Sequence, residues 1–92
     1  MRRNAKLHIG KKTFKMAVGT QMCMWDYEGE IDENGFACGR GVATFKGNHY
    51  EGTFFLDRFE GIGIITQSDG LRIEGEFTRG TYHGKVTFYW SN

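Results

Sequence analysis

Tyr27-Glu28-Gly29-Glu30-Ile31, Tyr50-Glu51-Gly52-Thr53-Phe54 and Ile73-Glu74-Gly75-Glu76-Phe77 are three copies of one stretch, 23 residues apart. Phe36, Phe59 and Tyr82 keep the same interval, and Gly47 and Gly70 stand three residues before the second and third copies. A fixed period of this length marks a repeat protein, in which each unit buries its apolar side on its neighbours. Within a copy the alternation has period two, so Tyr27, Gly29 and Ile31 share one strand face while Glu28 and Glu30 share the other. Tyr50, Gly52 and Phe54 sort the same way, as do Ile73, Gly75 and Phe77. The glycine between two large residues leaves a gap that a neighbouring aromatic ring can cover.

Outward from these copies, turn signals divide the chain into short strands. Asp32 to Gly35 is polar, Gly39-Arg40-Gly41 and Gly61-Ile62-Gly63 open strands, and Gly47-Asn48 and Asp69-Gly70 supply tight reversals. Leu56 to Glu60 and Thr78 to His83 complete the set. The expectation is an all-β fold: an elongated, single-layer antiparallel meander of stacked hairpins with six strands from Met24 to Trp90. Equivalent residues of successive hairpins should lie about 9.6 Å apart, two strand spacings. Their rings should therefore not touch, leaving Val42 or Phe45, Ile64 or Ile65, and Val86 or Phe88 to bridge them. Residues 1–22 form a separate basic segment before a repeat domain at 23–92. There Leu7, Ile9, Phe14, Met16 and Val18 alternate around Gly10-Lys11-Lys12, which reads either as a hairpin ending at Gly19 or as a basic arm ordered on binding.

The 92 residues include no proline, 14 glycines and 15% aromatic residues, a mixture suited to tight turns and bulky strands. The net charge of +1 hides a division. Residues 1–25 carry Arg2, Arg3, Lys6, Lys11, Lys12 and Lys15 with no acid, whereas the rest has six basic and eleven acidic side chains. The repeats thus lack the basic face that nucleic acid requires, and nucleic acid is disfavoured as a partner. Cys23 and Cys38 are expected as free thiols, which with the absence of an apolar leader reads as intracellular, cytoplasmic or cytoskeleton- or membrane-associated, with mitochondria less favoured.

Catalytic chemistry finds no foothold. Glu28, Glu51 and Glu74 are too far apart to share a proton, Ser68 and Ser91 lack an activating base, and His8, His49 and His83 with Cys23 and Cys38 lack metal-ligand spacing. The paired glycines open strands rather than helices, so they do not build a dinucleotide cradle. No cofactor, metal or enzymatic activity is expected. Two binding surfaces are. The aromatic residues Tyr27, Phe36, Tyr50, Phe54, Phe59, Phe77, Tyr82 and Trp90 exceed what a single layer can cover, and such a face marks an interface. Its cover would be the N-terminal segment, a second copy, or a partner helix or peptide in the groove. Alternatively, Arg2, Arg3, Lys6, Lys11, Lys12 and Lys15 could hold an anionic membrane at about 1 kcal/mol each. The strand from Lys85 to Trp90 is a free edge open to pairing with another chain.

The motif set Tyr50-Glu51-Gly52, Phe59-Glu60-Gly61-Ile62-Gly63 and Asp69-Gly70-Leu71-Arg72-Ile73-Glu74-Gly75 resembles the MORN repeat, over residues 24–92 in about three units. The resemblance implies a hairpin ribbon and a non-enzymatic role: scaffolding, dimer formation, capture of a partner peptide, or phospholipid association. The first unit departs by one extra residue before Gly39-Arg40-Gly41. The third opens with Ile73 and has Gly84-Lys85-Val86 where a second glycine is expected, so it reads as a cap or a cut edge.

Overall fold

A computed structural model of the chain describes residues 7–18 and 20–90. Seven strands form one antiparallel sheet in sequence order: β1 (His8–Val18), β2 (Gln21–Ile31), β3 (Ala37–Phe45), β4 (Asn48–Phe55), β5 (Arg58–Thr66), β6 (Leu71–Thr78) and β7 (Thr81–Trp90). The all-β antiparallel meander expected from the repeats is the fold.

The N-terminal segment differs from expectation. It is neither a hairpin nor a free arm: β1 runs unbroken through Gly10-Lys11-Lys12 and pairs with β2 from His8↔Ile31 to Val18↔Gln21. The turns are also tighter than their sequence signals. Lys46-Gly47, Leu56-Asp57 and Arg79-Gly80 are two-residue loops with positive φ at both positions, the backbone whose twist matches flanking strands. Asn48 belongs to β4, opposite Phe45.

A row of glycines crosses the sheet. Gly10 pairs with Gly29, Gly29 with Gly41, Gly41 with Gly52, Gly52 with Gly63 and Gly63 with Gly75, until Val86 ends the row opposite Gly75. Without side chains along this line the strands approach closely and the sheet can coil. The dimensions of 45 × 26 × 23 Å, with two nearly equal short axes, describe a rolled sheet rather than a flat one. The ring contacts agree. Trp25 on β2 and Phe59 on β5 are three strands apart, about 14 Å on a flat sheet, yet their centroids are 5.2 Å apart. Phe14 on β1 reaches Phe54 on β4 at 6.1 Å. Coiling thus folds the inner face of β1 and β2 onto that of β4 and β5.

Candidate functional site

Each of the first two repeats is built around one ring and two glycines. The Tyr50 ring stacks on Phe59 at 3.8 Å and 5°, and meets Phe54 and Phe77 edge-on at 5.2 and 5.1 Å. It lies over Gly63, where any Cβ would collide with the ring. Tyr27 lies over Gly41 in the same way and meets Phe54 at 4.7 Å. Rings of successive repeats thus meet through non-equivalent positions, Tyr27 with Phe54 and Tyr50 with Phe77, and at these crossings the intervening strand contributes a glycine rather than the bridging side chain expected.

The first glycine of each pair does a different job. Gly39, Gly61 and Gly84 have positive φ beside a shift in register, the placement expected of glycine at a bulge. In the first two repeats the shift takes Glu30 and Thr53 out of the ladder, and the tyrosine hydroxyl donates to the freed carbonyl: Tyr27 to Glu30 at 2.6 Å and Tyr50 to Thr53 at 3.1 Å. Burial, aided by the charges of Glu30, Cys38 and Asp57, pushes the Tyr27 hydroxyl up to about 12, and burial pushes Tyr50 up as well. Both stay neutral donors. In the third repeat Ile73 has no hydroxyl, Glu76 instead pairs with His83, and Val86 fills the space a ring would need. Ile73 and Val86 are one coupled departure.

The aromatic face divides accordingly. Tyr27, Tyr50, Phe54, Phe59 and Phe77 are buried in the chain's own core, together with Trp25 and Phe14. Of the three covers expected for this face, the N-terminal segment supplies the one seen over these five, which are thereby corrected from partner-binding to core residues: coiling brings β1 and β2 over them. Phe36, Tyr82 and Trp90 are exposed. Phe36 is not the counterpart of Phe59. The turn after Ile31 is one residue longer, so Ala37 pairs with Ile31 as Phe59 pairs with Phe54. Asp32 holds that turn by accepting from the Asn34 and Phe36 amides at 2.9 and 3.0 Å.

The lysines of β1, expected to act as one cluster, are separated by the strand. Lys11 and Lys15 are exposed, whereas Lys12 points to the opposite face. There it contacts Asp57 at 2.9 Å, donates to the Gly35 carbonyl at 2.5 Å and lies 5.9 Å from the Phe36 ring centroid. Asp57 also accepts from the Ala37 amide at 2.7 Å. Lys12 therefore fastens β1 to the turns before β3 and β5. Arg2, Arg3 and Lys6 lie outside the described residues. Cys23 and Cys38 are free; burial, then Asp32 and Glu30, push the Cys38 thiol up, away from the thiolate a nucleophile needs. Among the described residues no group of three or more His, Cys, Asp and Glu is placed to hold a metal ion.

What remains exposed concentrates at the C-terminal strand. Opposite residues of paired strands share a face, so Val86, Phe88 and Trp90 continue the inner face beside Gly75, Ile73 and Leu71, while Tyr89 lies outside against Arg72. Tyr82, Phe88 and Tyr89 are about half exposed and Trp90 is 66% exposed. Phe88 and Trp90, which the sequence signal gave no reason to separate from the covered rings, are uncovered because no later hairpin among the described residues lies over them. Beside them a groove of about 410 Å³ runs between Met16 and Trp25 on one wall and Phe59, Ile73, Phe77 and Tyr82 on the other, with no charged residue among the described ones lining it.

No curated protein matches the chain. The MORN repeat family matches residues 27–49, 50–72 and 74–92, the three units built around Tyr27, Tyr50 and Ile73. This is a non-catalytic repeat module generally associated with protein or membrane-lipid interactions. With three consecutive matches over most of its length, and a sheet made of the corresponding hairpins, the chain belongs to the MORN repeat family.

Proposed function

We propose that this chain is a non-enzymatic protein-docking module whose contact surface is β7 and the inner face beside it, acting as an accessory piece of a larger assembly. The observation that carries this reading is the distribution of exposed aromatics. The central repeats hide most of their rings, leaving Phe36 and Phe55 exposed singly, while β7 presents Tyr82, Phe88, Tyr89 and Trp90 together on a strand paired on one side only among the described residues. Aromatic residues on an unpaired edge offer large contact area at low entropic cost together with unused backbone hydrogen-bonding groups. Anionic-membrane docking has less support, since Lys12 is engaged with Asp57 and lies across the strand from Lys11 and Lys15.

The test uses tagged full-length chain purified from its native cells under mild conditions. Trp90→Lys is expected to strip the co-purifying proteins, whereas Ile62→Lys, at a comparably exposed position on β5, leaves them in place. An unchanged set of proteins with Trp90→Lys contradicts the reading.

A further inference from the structure

Independently of β7, we propose a second contact site, a cationic depression at the seam where β1 crosses the hairpin tips, which takes an acidic peptide segment carrying an apolar side chain. Three contacts define the seam. Lys12 meets the Gly35 carbonyl before β3 and Asp57 before β5, and Met16 Sδ lies 3.0 Å from where a Cβ on Gly80 would stand, before β7. Beside this crossing, Lys15, Met16, Ala17 and Met22 face Arg58 and Arg79 around a depression of about 320 Å³. The three cations stand far apart in the sequence, and only the coil brings them to one place.

Their charge is not neutralised from within. Lys15, Arg58 and Arg79 are exposed, and no acid among the described residues lines the depression. The nearby carboxylates are engaged: Asp57 by Lys12 and the Ala37 amide, and Glu60 by the Arg79 amide at 3.1 Å. None of the three cations forms a salt bridge among the described residues. Such a cluster attracts anions, and the arginine fork matches a carboxylate in particular.

The other half of the site is apolar. Met22 is 66% exposed, and Met24, opposite Lys15, is 50% exposed. With Ala17 they make a pliant strip beside the charges, since methionine adapts to the shape of an incoming side chain. A free inorganic anion leaves that strip in water. A peptide whose acids flank a leucine covers strip and charges together. An anionic leaflet fits less well, because Asp26, Glu28 and Glu51 share the outer face with Lys15 and Met24, and all three are exposed. A flat negative surface lying on Lys15 also meets these carboxylates and is repelled, whereas a narrow peptide fits the depression without reaching them.

The test is fluorescence anisotropy of a dye-labelled peptide, in which paired glutamates flank a single leucine, titrated with the full 92-residue chain at physiological salt. Saturable binding that weakens as salt rises is expected. Lys15→Glu and Arg58→Glu should each weaken it about fivefold, the scale of one exposed ion pair. Lys11→Glu makes the same change of charge on the same face of β1 but outside the depression, and should leave affinity within about twofold. Met22→Ser should weaken the leucine peptide about threefold and leave a glycine-substituted peptide unaffected. No saturable binding up to about 1 mM, or equal losses with Lys11→Glu and Lys15→Glu, overturns the proposal. So does binding to vesicles of equal parts phosphatidylserine and phosphatidylcholine that Arg58→Glu abolishes while the peptide is ignored, since the depression then serves a membrane. Trp90→Lys should leave peptide binding intact. Its loss in that variant would move the peptide to β7 and overturn this site, whereas intact peptide binding with an unchanged set of co-purifying proteins supports this site and sinks the β7 reading alone.

Discussion

Gly63→Val should remove about 3 kcal/mol or more of folding stability, measured by urea denaturation, from a domain whose size implies roughly 5–14 kcal/mol in all. Strand propensity works in the opposite direction, since valine is favoured over glycine in strands. The loss therefore comes from sterics: the new side chain enters the space held by the Tyr50 ring, which is itself fixed by stacking on Phe59 and by the bond to the Thr53 carbonyl. The third repeat shows how the conflict is relieved, with Ile73 in the tyrosine position and Val86 in the glycine position. Tyr50→Ile alone should cost about 2–4 kcal/mol through lost packing and an unpaired carbonyl. In the double variant the costs should not add. A double-mutant cycle is expected to show at least ~2 kcal/mol of favourable coupling, whereas additivity within about 0.5 kcal/mol would remove the claim that ring and glycine are one unit.

Trp25→Ala should cost a further class of stability, about 3–5 kcal/mol. Trp25 is only 1% exposed and links β2 to the far side of the coil through Phe45 and Phe59, at 5.5 and 5.2 Å. Its indole Nε1 has no hydrogen-bond partner among the described residues, so the ring acts here as apolar volume. Trp25→Phe should accordingly cost only about 1 kcal/mol, the loss of part of one ring. If alanine and phenylalanine were equally damaging, a polar role for the indole would be required. If alanine were mild, the N-terminal strands would not be covering the repeats.

These two residues mark the boundary of what the sequence discloses. The 23-residue period made the hairpins legible, because Tyr27 recurs as Tyr50, Gly29 as Gly52 and Gly75, and Phe54 as Phe77, and each position corresponds to a strand face. The third repeat's paired departure at Ile73 and Val86 was visible too, although its meaning required the register that puts one beside the other. Trp25 was not legible as a core residue. Its partner Phe59 is 34 positions away, and only the coil permitted by the glycine row brings them together. For the same reason the aromatic face looked too large to cover: the sequence displays which residues share a face, but not that the sheet rolls its two ends toward each other. Phe36 was misassigned because period alone cannot detect one added turn residue, which moves Ala37 into the inward position. Lys12 could not be separated from Lys11 and Lys15 while β1 had no assigned path. Once β1 is a single strand, parity alone turns Lys12 toward Asp57.

The docking surface follows from the same coil. The inward rings in the middle of the array, such as Tyr50 and Phe59, are covered by strands from elsewhere in the chain, and those on β7 are not. A single optical measurement tests that division. In a Trp90→Phe variant the only remaining tryptophan is Trp25, and its emission should be blue-shifted and resist quenching by acrylamide, as expected of an indole sealed between Phe45 and Phe59. Red-shifted emission that acrylamide quenches readily would place Trp25 in water and contradict the coiled, self-covered sheet on which this account rests.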